Sequence, residues 1–127
     1  MYSALYKSVL DQDRSPVVLC TLDHTIVYMN AAAAERYKPQ GGFNLVGKSL
    51  FGCHNARSAE VINKVIDWFR ESTSNNMIYT FRNNAENKDV YMVALRNDDG
   101  ELIGYYEKHE YRNNETAKLY DFENPVH

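Results

Sequence analysis

The sequence predicts an α+β fold, a five-stranded antiparallel sheet with helices packed on one face. Three observations carry this. Two turn signals, Asp23-His24 and Asn97-Asp98-Asp99-Gly100, each separate a pair of runs rich in β-branched or aromatic residues. Between these hairpins, Val61, Ile62, Val65, Ile66 and Phe69 recur at helical spacing. Helical patterns that follow the second strand and precede the third place helices over one face of an antiparallel sheet.

The elements follow in order. Residues 2 to about 11 form a short helix with Tyr2, Leu5, Tyr6 and Val9 on one face, and Arg14-Ser15-Pro16 breaks it. Val17 to Leu22 and Thr25 to Met29 are the first hairpin. Asn30 is the N-cap of Ala31 to Tyr37, because its side chain accepts from an orphan amide. Pro39 and Gly41-Gly42 end that helix. Residues 43–51 are irregular, with Leu45, Val46, Leu50 and Phe51 as apolar anchors. Asn55 or Ser58 caps the long helix, which runs to about Glu71. Residues 72–76 form a loop. Met77 to Arg82 alternates as a strand, with Met77, Tyr79 and Phe81 on one face. Residues 83–88 are a polar turn, and Val90 to Arg96 and Leu102 to Tyr111 are the second hairpin.

The bulk properties bound the function. The 127 residues suit one domain, 1–127, and no repeat or low-complexity linker divides them. A net charge of -3 argues against nucleic acid. No run approaches the roughly 20 apolar residues of a membrane span, and the N-terminus lacks a signal-peptide pattern. Two cysteines are too few for a disulfide framework, so a cytoplasmic protein with free thiols is expected.

The stretch FGCHNARSAE places Cys53 and His54 where a loop turns into the long helix. Structural zinc needs four ligands, usually as spaced pairs, and Cys20, His24, His109 and His127 supply no such spacing; no metal is expected. The helix start also offers free amides to an acidic head group, with Arg57 and Arg70 nearby, although simple capping serves the same amides. A Cys/His nucleophile pair needs an orienting third group, and the sequence does not require one, so an enzyme is not expected. Cys20 and Cys53 read as small buried hydrophobes. The last strand is charged on both faces: Tyr105, Glu107, His109 and Tyr111 point one way, and Tyr106, Lys108 and Glu110 the other. Either that strand outruns the core, or Glu107 and His109 line a polar pocket, or its tyrosines dock a second subunit.

The order and spacing of SPVVLCTLDHTIVYMNAAAAERY, LVGKSLFGCHNARSAEVINKVIDWF and NDDGELIGYYE resemble a PAS domain over about residues 12–112. Cys53-His54 is similar to a subset of that family with Cys-His-Pro before the long helix, although Asn55 replaces the proline here. The resemblance implies a sensory or regulatory module that binds a small molecule or a protein partner in signal transduction. Phe51, Cys53, His54, Val61, Val65, Phe69, Met77, Tyr79, Phe81 and Met92 are then expected around the space under the long helix, with His54, Tyr79 and His109 as its polar contacts. Some family members bind haem, so a haem redox or gas sensor using His54 is one alternative. A second is a pure dimerisation or interaction domain with a filled core. The family's Asp-Ile-Thr ending is replaced by Tyr111-Arg112-Asn113, which implies action through self-association, a separate signalling protein or the ligand.

Overall fold

The computed structural model describes residues 2–53 and 56–123, with the side chain of Cys53 left outside that description. Helix α1 spans Ser3–Asp11, strands β1 and β2 span Val18–Thr21 and Ile26–Met29, and helix α2 spans Ala31–Arg36. Three short 3-10 turns follow at Lys38–Gln40, Gly42–Leu45 and Leu50–Cys53. Helix α3 covers Ala56–Glu71, and strands β3, β4 and β5 cover Met77–Asn83, Lys88–Arg96 and Leu102–Tyr111. The five strands form one antiparallel sheet in the order β2-β1-β5-β4-β3. The expected α+β class is therefore observed.

The core lies between one sheet face and the helical segment. Ile62, Val65, Ile66 and Phe69 of α3 and Ala33 and Ala34 of α2 pack on Cys20, Ile26, Met29, Met92 and Tyr105 of the sheet. The apolar stripe of α3 selects that burial, because residues three and four apart share a face. Helix α1 stands apart: each of its residues except Leu10 is exposed. It is tethered at its end, where Tyr28 donates to Asp11 at 2.5 Å and Asn30 donates to the Leu10 carbonyl at 3.1 Å.

Asn30 does more than cap α2. Its Oδ1 accepts from the amides of Ala33 at 2.9 Å and Val17 at 3.0 Å, and its Nδ2 also donates to the carbonyls of Asp13 and Ser15. Arg96 anchors the opposite end of the molecule. Its guanidinium donates to the carbonyls of Phe69 in the last turn of α3, of Ser72 and Asn75 in the loop beyond, and of Gly100 in the β4–β5 turn. A cation there complements both the orphan carbonyls and the helix dipole.

Two glycines of DGELIG have separate reasons. Gly100 takes φ +80° in the turn, which favours glycine. Gly104 faces Thr21 across the β1–β5 ladder, and a Cβ there collides with the Cys20 carbonyl oxygen. Gly104→Ala is expected to lower stability by about 1–3 kcal/mol in urea denaturation, because backbone must move to admit the methyl. Asn30→Leu is expected to cost roughly 3 kcal/mol in the same assay, since it removes a cap and strands buried amides and carbonyls.

Candidate functional site

A groove of about 640 Å³ opens between the first half of α3 and the inner face of β3, β4 and β5. Val61 and Ile62 form its α3 wall, and Val90 and Met92 form its floor. Thr80 and Phe81 border it from β3, Arg36 and Tyr37 from the end of α2, and Arg57 from the first turn of α3. Lys88, Glu107 and His109 add further charge and polarity to the lining.

The backbone register explains which side chains meet there. Along β4, Lys88, Val90 and Met92 alternate onto the buried face, and Tyr111, His109 and Glu107 lie opposite them on β5. Strand β3 changes face at a bulge between Tyr79 and Phe81. Before the bulge, Met77 and Tyr79 pair with Val93 and Tyr91; after it, Phe81 pairs with Val90.

This corrects the expected lining. Met77 and Tyr79 are on the outer face, where the Tyr79 ring lies tilted against Tyr91 at 5.3 Å and its hydroxyl donates to Asp89 at 2.6 Å. A strict two-residue alternation put Met77, Tyr79 and Phe81 together, and the bulge breaks it. Phe69 is fully buried in the core. Phe51 stacks on His24 at 4.1 Å, and His24 in turn bonds Tyr105 through Nδ1 at 2.8 Å. Phe81, Met92 and His109 do border the groove. His54 and Asn55 lie outside the described residues, as does the side chain of Cys53, so the expected placements of that pair fall there too.

Sequence reasoning missed Lys88 and Arg36. The polar turn expected over residues 83–88 includes Lys88, but β4 begins with it and its side chain is only 1 % exposed. Its ammonium lies 3.4 Å from a Glu86 carboxylate oxygen, 3.5 Å from the Tyr111 hydroxyl and 5.1 Å from that ring's centre. Glu86 is otherwise committed. It takes two bonds from Arg36, at 2.5 and 3.0 Å, and one from Asn83 at 2.7 Å. The Arg36 guanidinium holds its carboxyl down at about 2. The signal available in the sequence was the alternation Lys88, Val90, Met92, which carries Lys88 inward with its apolar neighbours.

His109 is 9 % exposed, and its buried Nδ1 has no hydrogen-bond partner. Its Nε2 is 4.0 Å from Glu107, too far for a hydrogen bond. Burial, then Lys88 and Arg36, pushes its pKa down to about 4, against a smaller opposing pull from Glu86. Cys20, paired with Tyr105 across the β1–β5 ladder, is also buried, and its thiol is pushed up to about 12 by loss of solvent. It is a protonated, unreactive thiol at neutral pH. Among the described residues, no group of three or more His, Cys, Asp or Glu is arranged to hold a metal ion, and no helix is long and apolar enough to cross a membrane.

No family model and no curated protein matches the chain. Solved structures do. The C-terminal domain of a Streptococcus mutans protein aligns with TM-score 0.63 and 19% identity, over 84% of this chain and 81% of that one. A PAS domain from Colwellia psychrerythraea aligns with TM-score 0.62 and 11% identity, over 85% and 94%. A sensory box sensor histidine kinase from Vibrio cholerae aligns with TM-score 0.55 and 18% identity, over 85% and 89%. The chain is a PAS-like domain in fold, as its sequence motifs implied.

His109 gives stability a pH dependence with a defined sign. Its folded pKa lies below that of free imidazole, so the unfolded chain takes up the proton first. The stability from the neutral ring is complete above about pH 6.5 and is lost as pH falls toward 4, by up to about 3 kcal/mol. His109→Leu is expected to flatten the slope of unfolding free energy between about pH 6.5 and 5, above the range where ordinary carboxylates titrate. Urea titrations at several pH values compare the two slopes; equal slopes exclude this role.

Proposed function

We propose that this chain is a sensory or regulatory module that binds a small molecule in the α3 groove and relays occupancy to a partner protein or a second copy of itself. The observation that carries the reading is the groove: a concave space on the inner face of a PAS-like sheet, whose apolar wall and floor are bordered by charged and polar side chains. The structural neighbour described as a sensory box sensor histidine kinase supports sensing as the role. Fold alone does not set function, so the site carries the argument.

Native mass and absorption spectra of protein purified without added cofactor test it. A retained small-molecule mass supports the reading, and a Soret band identifies the haem alternative. Val61 is partly exposed on the groove wall, so Val61→Trp fills the space without entering the core. This variant is expected to lose the bound mass while its melting temperature changes by only a few degrees. Retention of the same ligand at wild-type occupancy sinks the assignment to this groove.

A specific observation favours self-association as the relay. Tyr2, at the start of α1, and Leu5, Tyr6 and Val9 within it are each more than half exposed, an apolar stripe that the other described residues leave uncovered. Leu5→Glu combined with Val9→Glu is expected to convert a dimer to monomer in light-scattering chromatography. A double variant of unchanged mass excludes that surface.

A further inference from the structure

Resting on the reading of this groove as a ligand site, we propose that its ligand is an organic anion, a carboxylate head joined to an apolar body. Lys88 receives the head, with Arg57 at the mouth, and Val61, Ile62, Met92 and Phe81 cover the body.

Lys88 is a buried charge with too few close partners. Lys88 is 99% removed from solvent, where an ammonium needs close oxygen ligands to offset its lost hydration. Both of its oxygen contacts, at 3.4 and 3.5 Å, exceed the usual hydrogen-bond range. The Glu86 oxygen nearest it already accepts from Arg36 and Asn83. Three unit charges lie together at this end, two positive on Arg36 and Lys88 and one negative on Glu86, leaving a net positive charge. Arg57 adds another cation to the groove lining. A ligand carboxylate supplies the missing acceptors.

The groove's polarity also has a direction. Lys88 and Tyr111 form one cross-strand row, Val90 and His109 the next, and Met92 and Glu107 the third. Glu107 is thus two rows from Lys88 and repels an anionic head placed at its own end. The apolar wall of α3 lies alongside these rows. A head at Lys88 and a body across Val90 and Met92 satisfies both features. The reverse orientation puts like charges together at Glu107 and apolar groups on the ammonium.

Three eight-carbon probes separate head from body: octanoate, octan-1-ol and octylammonium. In isothermal titration of the wild-type protein, octanoate is expected to bind roughly tenfold tighter than octanol, with octylammonium weakest. Lys88→Met, which keeps an unbranched chain, is expected to bring octanoate down to the affinity of octanol, and Arg57→Ala to weaken octanoate alone. Because the probe ranking is read on wild-type protein, it decides the matter even if Lys88→Met does not fold. Octanol or octylammonium binding as tightly as octanoate overturns the anion while leaving a ligand groove in place. Binding by none of the three overturns the anion as well, and the retained mass in the native spectrum then decides separately whether the groove holds another ligand.

Discussion

The arrangement depends on one buried amide. Asn30 is 1 % exposed and all its hydrogen-bonding capacity is directed at backbone. It joins three segments: the end of α1 and the chain after it, the residue before β1, and the first turn of α2. An amide suits this position because it is both acceptor and donor. A carboxylate presents no donor to the three carbonyls, and an apolar group presents neither. The first hairpin and α2 therefore leave Asn30 in a fixed relation, and Ala33 and Ala34 meet the sheet through it.

The second constraint is the placement of α3. Its last turn is held by Arg96, which reaches from β4 to the Phe69 carbonyl and to the loop beyond. Asn75 adds a bond to the Trp68 carbonyl at 2.8 Å. In its first half Ile62 is buried in the core while Val61 beside it is partly exposed on the groove wall. Val65, Ile66 and Phe69 fill the core further along the helix, so the groove lies alongside the first half of α3 and the packed core under the second.

Much of this was legible in the sequence because it rests on local chemistry. Asn30 before an alanine run, the Asp99-Gly100 turn and the stripe from Val61 to Phe69 each state their structure within a few residues. The bulge in β3 was not legible, because nothing in MIYTFRN marks Thr80 as the extra residue. One inserted position reversed two of the three side chains assigned to the groove. Lys88 was hidden for a related reason: lysine is rarely buried, so a polar run containing it reads as a turn. The site around it is non-local, joining Arg36 to Glu86 across 50 residues, and no short window carries such a pair.

The charged last strand now has a physical account. Strand β5 begins under the dry core, where Tyr105 is buried against Cys20 and α3, and runs on beneath the groove. Its inner residues change from aromatic to titratable at that boundary, as Glu107 and His109 follow Tyr105. The outer face stays polar throughout its second half, where Lys108 and Glu110 pair at 3.0 Å and Arg112 bonds Asp89 at 2.7 Å. A strand that merely outran its core would place its inward residues in open solvent. His109 is instead buried and Lys88, one row away, more so. Retaining two polar side chains in that setting costs stability, and a groove that receives a polar ligand gives them a use that a packed core does not.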